Sequence, residues 1–156
     1  MIERSAIGRM TLALTCTVVV AACASGGGAG PRKEPISPQR GGQTLARYTP
    51  AIRTGDLVFF SGQIGSRPGE GLPPTVEEQT QQALANLENL MREAGVSKDD
   101  LVKCTVFLAD IRDYNAMNAV YADFFEGTDP PARSAVGVAG LPAGARVEVE
   151  CIAAAS

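Results

Sequence analysis

The sequence predicts an α+β protein in which two helices lie on one face of a mostly antiparallel mixed sheet. Apolar residues repeat at helical spacing over two stretches, 76–94 and 114–125, and a glycine follows each stretch. Five β-rich runs surround these helices: two precede the first helix, one lies between the helices, and two follow the second. The order ββαβαββ favours helices on a single face, so the other face of the sheet is left for water or a partner.

The first half of the folded part begins with two predicted strands, at 48–52 and 57–64, joined by the turn sequence Thr-Gly-Asp. A capping box, Thr-Val-Glu-Glu at 75–78, then starts a helix, because the threonine hydroxyl and the last glutamate each satisfy a free backbone amide. Gly95 is expected to end this helix in the left-handed conformation. One apolar stripe is predicted to face the core: Val76, Ala83, Leu84, Leu87, Leu90, Met91 and Ala94.

The second half contains a predicted strand at 101–108, a helix that starts near Asp113 and stops at Gly127, and strands at 132–138 and 146–153. Two prolines separate this helix from the strand that follows it. The helix carries large residues at helical spacing, predicted to be core, with a binding role as the alternative: Tyr114, Met117, Val120, Tyr121, Phe124 and Phe125.

The N-terminus has the features of a bacterial export signal. Arg4 and Arg9 precede an apolar run at 10–22 that is too short to span a bilayer. The sequence Val-Ala-Ala-Cys at 20–23 resembles a lipobox, which implies cleavage before Cys23 and attachment of several lipid chains to it, enough for stable anchoring. A plain signal peptide, cut at a nearby small residue, is the alternative.

The predicted organisation is a signal peptide at 1–22, a lipidated Cys23 with a flexible linker at 23–43, and one α+β domain at 44–156. The linker is rich in Gly, Pro, Ser and charged residues, which bury too little apolar surface to become ordered. The lipid-anchored protein is expected on the periplasmic side. Because no aspartate follows Cys23, the outer membrane is the expected location where the cell has one.

Composition excludes several kinds of chemistry. The 156 residues include no histidine and no Cys-x-x-Cys pair, which rules out histidine-based triads and the usual zinc sites. The net charge is −3 and no basic run is interleaved with aromatic residues, so the sequence has no footprint for nucleic acid. Chemistry must therefore rely on carboxylates, arginine, hydroxyls, backbone groups or thiols.

Pattern alone leaves the function open. Period-two alternation in the last strand predicts that Glu148 and Glu150 share one face, and a solvated face is the commoner explanation for such a pair. Arg133, directly after Pro-Pro-Ala at the start of a short strand, is most simply a surface arginine. Ser61 is most simply a residue near a strand end.

Five short motifs carry more information: Phe-Ser-Gly-Gln-Ile at 60–64, Val-Phe-Leu-Ala-Asp at 106–110, Asn-Ala-Val-Tyr at 118–121, Pro-Ala-Arg-Ser at 131–134 and Val-Glu-Val-Glu at 147–150. In order and spacing they resemble the reactive intermediate deaminase family (Rid, or YjgF), over about 48–153. The resemblance implies a chorismate-mutase-like fold and a homotrimer with inward-facing sheets and clefts between subunits.

The resemblance also implies a reaction. Members of the family hydrolyse enamine and imine acids, such as 2-aminoacrylate and 2-iminopropanoate, to the 2-oxo acid and ammonia, with no cofactor and no metal. Arg133 matches the arginine that binds the substrate carboxylate, and Glu148 matches the carboxylate that places the attacking water. Four further residues match cleft positions: Tyr48, Ser61, Asn118 and Ala135.

The sequence departs from the family pattern at two of these positions. Ala135, whose backbone amide can meet a carboxylate, stands where the archetype has a cysteine, and Ala-Arg replaces Gly-Pro directly before Tyr48. The two departures therefore affect the expected range of substrates more than the expected class of reaction. The expected partners are a small imino or enamine carboxylic acid, further copies of the chain, and the membrane through the lipid; no nucleic acid is expected.

Three functions remain open at this point: an exported deaminase, an inactive module that binds small carboxylates, and a structural or holdase lipoprotein. The combination of Arg133 with Glu148 favours the enzyme, because a binder needs only the arginine. Export argues against it, because enamine acids are usually made in the cytoplasm and decay quickly in water. An exported enzyme would need an external source of substrate, such as an amino-acid oxidase.

Two cysteines, Cys104 and Cys151, remain after loss of the signal peptide and lipidation of Cys23. Alternation places Cys104 on the face of Val102, and both cysteines are expected to point towards the helices. Two reduced core thiols are the favoured expectation. A disulfide, suited to an oxidising compartment, is the alternative if the two strands are neighbours and in register.

Overall fold

The computed structural model describes Gly30, residues 32–36 and residues 48–155. The predicted signal peptide, the lipidation site at Cys23 and most of the linker lie outside these residues. In the described part of the chain, no helix combines the length and apolar character needed to cross a bilayer.

Two α-helices and six strands form the fold of the described residues. The strands are β1 (Glu34–Ile36), β2 (Ala51–Thr54), β3 (Leu57–Ile64), β4 (Leu101–Leu108), β5 (Ala132–Gly137) and β6 (Val147–Ala154), and the helices are α1 (Val76–Ala94) and α2 (Tyr114–Phe124). The strands make one sheet in the order β1-β2-β3-β6-β4-β5. Every neighbouring pair is antiparallel except β4 and β5, which are parallel because α2 crosses over between them. The predicted α+β fold, with two helices on a mixed, mostly antiparallel sheet, is confirmed.

Helix α1 follows its local signals closely. Thr75 is the N-cap, and its side chain and that of Glu78 form the reciprocal bonds of a capping box. Gly95 ends the helix with φ 69°, the left-handed conformation that favours glycine. The predicted apolar stripe is buried along its whole length, against the sheet and α2. Capping and stripe together determine both the ends of α1 and the side that packs.

Strands β4 and β6 carry the centre of the core. In β6 the residues from Val147 to Ala153 alternate between buried and more exposed, as predicted. In β4 the pairing with β6 shifts between Leu101 and Lys103, so Leu101 is buried and Val102 is 48% exposed. The expectation that Val102 shares the face of Cys104 is therefore wrong, because a single irregularity in the ladder reverses the alternation that precedes it.

Strand β1 was not expected, because it lies inside the segment interpreted as a flexible linker. Its three residues pair with β2, and Ile36 packs partly buried against the core. Composition correctly indicates that this segment cannot bury a core of its own. Three residues can nevertheless become ordered on the free edge of an existing strand, because the ladder supplies their hydrogen bonds. The linker interpretation is thus wrong for Glu34–Ile36.

Cys104 and Cys151 lie directly opposite each other in the ladder of β4 and β6. Their α carbons are 4.1 Å apart, both side chains are buried, and a disulfide joins them. The favoured expectation of two reduced thiols is therefore wrong, and the alternative is confirmed. The disulfide cross-links the neighbouring strands β4 and β6 on the side covered by the helices.

Candidate active site

Arg133, on the edge strand β5, points to the helix side of the sheet, where α2 holds its guanidinium. Its Nη2 donates hydrogen bonds to Asn118 Oδ1 at 2.7 Å and to the Tyr114 hydroxyl at 3.1 Å. Its Cζ lies 4.5 Å from the ring centroid of Tyr121, a cation–π distance. Arg133 is thus not a free surface arginine, because three side chains fix its position.

The spacing of α2 explains why these side chains converge. Tyr114, Asn118 and Tyr121 follow one another at intervals of four and three residues, so they lie on one face of the helix. Tyr121 serves both as core and as a platform for the guanidinium, and burial raises the pKa of its hydroxyl to about 12. Tyr114 and Tyr121 thus contact the arginine that is predicted to bind the substrate, whereas the binding role considered as the alternative for the aromatic residues of α2 stays a prediction.

The start of α2 is tied to the rest of the fold by an ion pair that sequence reasoning missed. Arg146, just before β6, contacts both carboxylate oxygens of Asp113, with Nη2–Oδ1 2.7 Å and Nε–Oδ2 3.1 Å. The Arg146 backbone amide donates to Gln79 Oε1 at 2.8 Å, and buried Gln79 in turn donates to the Pro73 carbonyl. Local sequence patterns do not predict these contacts, because the residues that make them are far apart in the chain.

Glu148, on β6, lies on the opposite face of the sheet from the helices. Its neighbours across the ladders are Ile64 on β3 and Phe107 on β4. The carboxylate occupies the space over Gly62, where any Cβ would clash with it. Burial, and secondly the nearby Glu150 carboxylate, raise the pKa of Glu148 above its ordinary value.

Ser61 lies on β3, which pairs with the strand that carries Glu148, and Tyr48 precedes β2, the next strand in the sheet. Ser61 and Gly62 lie where the pairing of β3 with β6 shifts, between Phe60 and Gln63. The Ser61 hydroxyl donates to the Thr49 carbonyl at 2.7 Å, and its amide donates to the Pro50 carbonyl at 2.9 Å. These bonds hold the segment after Tyr48 against β3, and Tyr48 itself is 58% exposed. Tyr48 precedes β2 instead of starting it as predicted.

Within one chain, the predicted site residues form two separate groups. Arg133, Asn118 and Ala135 belong to β5 and α2, which we call the arginine half-site. Glu148, Ser61 and Tyr48 belong to β6, β3 and the segment before β2, which we call the glutamate half-site. Because β4 lies between β5 and β6, the α carbons of Arg133 and Glu148 are about 14 Å apart, counting two strand spacings and three residues of rise. The two side chains also point to opposite faces.

Comparisons with known proteins agree with the motifs. Residues 40–155 match the family model described as Endoribonuclease L-PSP. The chain is 39% identical over 124 residues to Reactive Intermediate Deaminase A, chloroplastic, of Arabidopsis thaliana, covering 78% of this chain and 66% of that protein. It is 40% identical over 120 residues to 2-iminobutanoate/2-iminopropanoate deaminase of Rattus norvegicus, covering 76% of this chain and 87% of that protein.

A solved structure extends the similarity to three dimensions. E. coli TdcF with bound serine matches with a TM-score of 0.73 and 36% identity, over 79% of this chain and 99% of that chain. The chain therefore belongs to the Rid family of reactive intermediate deaminases, as its motifs indicated.

Proposed function

We propose that this protein hydrolyses enamine and imine acids of the 2-aminoacrylate and 2-iminopropanoate type to the 2-oxo acid and ammonia, without a cofactor. The observation that carries this proposal is the guanidinium of Arg133, held in one orientation by Asn118, Tyr114 and Tyr121. A planar guanidinium in a fixed orientation binds a carboxylate with two charge-assisted hydrogen bonds, which also orients the carbon beside that carboxylate. The names of the relatives at 39–40% identity support the reaction class.

Glu148 supplies the second function that hydrolysis needs. Water adds to the imine carbon while Glu148 accepts one of its protons, and the electron pair of the C=N bond moves to nitrogen. Glu148 returns that proton to the nitrogen and then transfers the hydroxyl proton of the intermediate to it as well. The C–N bond breaks, ammonia leaves, the oxygen becomes the 2-oxo group, and Glu148 is ionised again. A carboxylate whose pKa is raised by burial and by Glu150 is a stronger base than an ordinary glutamate.

The two half-sites meet, in our proposal, between subunits of a homotrimer. Arg133 and Glu148 of one protomer lie on opposite faces of the sheet, so neither can serve a substrate held by the other. The sheet face away from the helices also carries exposed apolar residues, including Phe59 and Val136, which an inward-facing assembly would cover. The arginine half-site of one subunit and the glutamate half-site of the next would then complete one cleft.

Complementation between two inactive variants tests this arrangement. Arg133→Ala keeps the glutamate half-site and Glu148→Gln keeps the arginine half-site, so each variant alone should be inactive. When the two are co-expressed in equal amounts, random assembly should make about a quarter of the clefts wild-type and restore about a quarter of the activity. If the co-expressed variants show no more activity than the sum of the single variants, both residues of a cleft come from one protomer. Light scattering of the same samples measures the mass expected for a trimer.

A carboxylate-binding protein without catalysis is the second candidate, and the serine bound to E. coli TdcF favours it. Binding needs the arginine half-site alone, whereas hydrolysis needs both. The two functions are distinguished by supplying pure wild-type protein with freshly generated 2-iminopropanoate and following release of ammonia. Binding of carboxylates without faster release would establish the second candidate.

We further propose that the protein is exported and anchored through lipid on Cys23. The charged start, the short apolar run and the Val-Ala-Ala-Cys sequence support this proposal. The disulfide between Cys104 and Cys151 also supports it, because structural disulfides persist mainly in oxidising compartments. The intact mass of protein extracted from membranes tests it: an unmodified N-terminus at any residue other than Cys23 would contradict lipidation.

A further inference from the structure

The Nη2 atom of Arg133 already donates both of its hydrogens to side chains of the protein. This nitrogen carries two hydrogens, and two acceptors lie within hydrogen-bonding distance of it: Asn118 Oδ1 at 2.7 Å and the Tyr114 hydroxyl oxygen at 3.1 Å. Both contacts come from α2, whose first residue is Tyr114. A ligand that needs Nη2 must therefore compete with one of these side chains.

A carboxylate held by two parallel bonds does need Nη2. The planar guanidinium offers two forks, one made by Nε with Nη2 and the other by Nη1 with Nη2, because the remaining Nη1 hydrogen points back along the side chain. Each fork uses one hydrogen of Nη2. Two-bond binding of a substrate carboxylate at Arg133 therefore requires either Asn118 or Tyr114 to release its hydrogen bond.

Tyr114 is the contact that yields. Its bond to Nη2 is the longer of the two, and its side chain is 37% exposed, whereas Asn118 is half-buried. A neutral hydroxyl also competes weakly with a carboxylate for a guanidinium, because the carboxylate brings the opposite charge and a second parallel hydrogen bond. The exposed ring at the start of α2 can turn towards solvent without disturbing the core.

We propose that Tyr114 limits the affinity for the substrate carboxylate, because its hydroxyl competes with that carboxylate for Nη2 of Arg133. This inference rests on the proposed function, because it assumes that Arg133 binds the carboxylate. The competition lowers the affinity for a carboxylate that is held by two bonds, because each fork includes Nη2. A ligand that makes a single bond to Nε or Nη1 does not have to displace Tyr114.

The Tyr114→Phe variant tests the competition, because it keeps the ring and removes only the oxygen. The probe is 2-oxobutanoate, a stable carboxylate, titrated into the full protein by calorimetry. Its Kd should fall about fivefold, the equivalent of one ordinary hydrogen bond. The KM for the imino acid should fall by the same factor with kcat unchanged, because the hydroxyl is displaced in both the bound substrate and the transition state.

The matched control is Thr128→Val, which removes a hydroxyl that donates to the Phe125 carbonyl beyond the other end of α2 and should leave Kd unchanged. Tyr114→Leu, which also lacks the hydroxyl, should shift Kd in the same direction as Tyr114→Phe. A Kd that is unchanged or higher in both Tyr114 variants would overturn the proposal.

The proposed function can fail separately in the same experiment. If Arg133→Lys binds 2-oxobutanoate as tightly as wild type, Arg133 is not the carboxylate site, and both proposals fall. If Arg133→Lys loses binding while the Tyr114 variants behave like wild type, only the competition is wrong.

Discussion

The arginine and glutamate half-sites are built by opposite means. Arg133 is surrounded by groups that attract a cation: an amide oxygen, a hydroxyl and an aromatic face, all on a helix that an ion pair ties to the fold. Glu148 is placed by available space over Gly62, in surroundings that disfavour its charge. The difference suits the two proposed tasks, because a group that orients substrate gains from being fixed, whereas a base gains from a raised pKa.

The largest expected effect is at the arginine half-site. Arg133→Lys keeps the charge but loses the planar fork, so kcat/KM should fall by about two to three orders of magnitude, equivalent to about 3–4 kcal/mol of charge-assisted hydrogen bonding. Continuous assay of 2-oxo acid formation below saturation measures the loss. The matched control is Arg112→Lys at the exposed pair with Asp110, which should be silent. Wild-type turnover in Arg133→Lys would remove Arg133 from the site.

The disulfide joins β4 to β6, the strand that carries Glu148, and should affect stability more than chemistry. It closes a loop with a sequence separation of 47 residues, for which the chain-entropy argument gives about 3–4 kcal/mol. The double variant Cys104→Ala with Cys151→Ala should lose about that much in urea unfolding and keep KM. Alkylation of freshly purified, denatured protein without reductant provides the second test, since label on Cys104 and Cys151 would contradict the bond.

Steric placement predicts a smaller effect at the glutamate half-site. Gly62→Ala puts a methyl group where the Glu148 carboxylate lies, so the carboxylate must move and kcat should fall about tenfold while KM changes little. The control is Gly140→Ala, where an added methyl group meets nothing within 4 Å. A silent Gly62→Ala would mean that the position of the Glu148 carboxylate does not limit the reaction.

The smallest expected effect is a shift in the pH profile. Glu148 must be ionised to accept a proton from water, so kcat should fall as pH decreases through its raised pKa. Glu150→Gln removes the second of the two causes of that raised pKa, so the acid limb should move to lower pH. The arginine half-site provides the contrast, since Tyr114→Phe should leave this limb in place. An acid limb that does not respond to Glu150→Gln would assign it to another group.

Local sequence determined much of this protein by itself. The ends of α1 follow from Thr75, Glu78 and Gly95, and the buried faces of α1 and β6 follow from apolar periodicity. These features depend on groups within a turn of helix or two residues of strand, which is the range over which sequence patterns act. The site residues were named only through the family motifs, because alternation alone makes Glu148 a solvated glutamate.

Only the tertiary structure decided the features that depend on register and strand order. It brought Cys104 opposite Cys151, placed Val102 on the opposite face from the one predicted, and added β1 to the edge of β2. It also placed Arg133 beneath α2 and separated it from Glu148 by β4. These outcomes depend on which distant segments become neighbours, and one residue of register in a β ladder is enough to change the face on which a side chain lies.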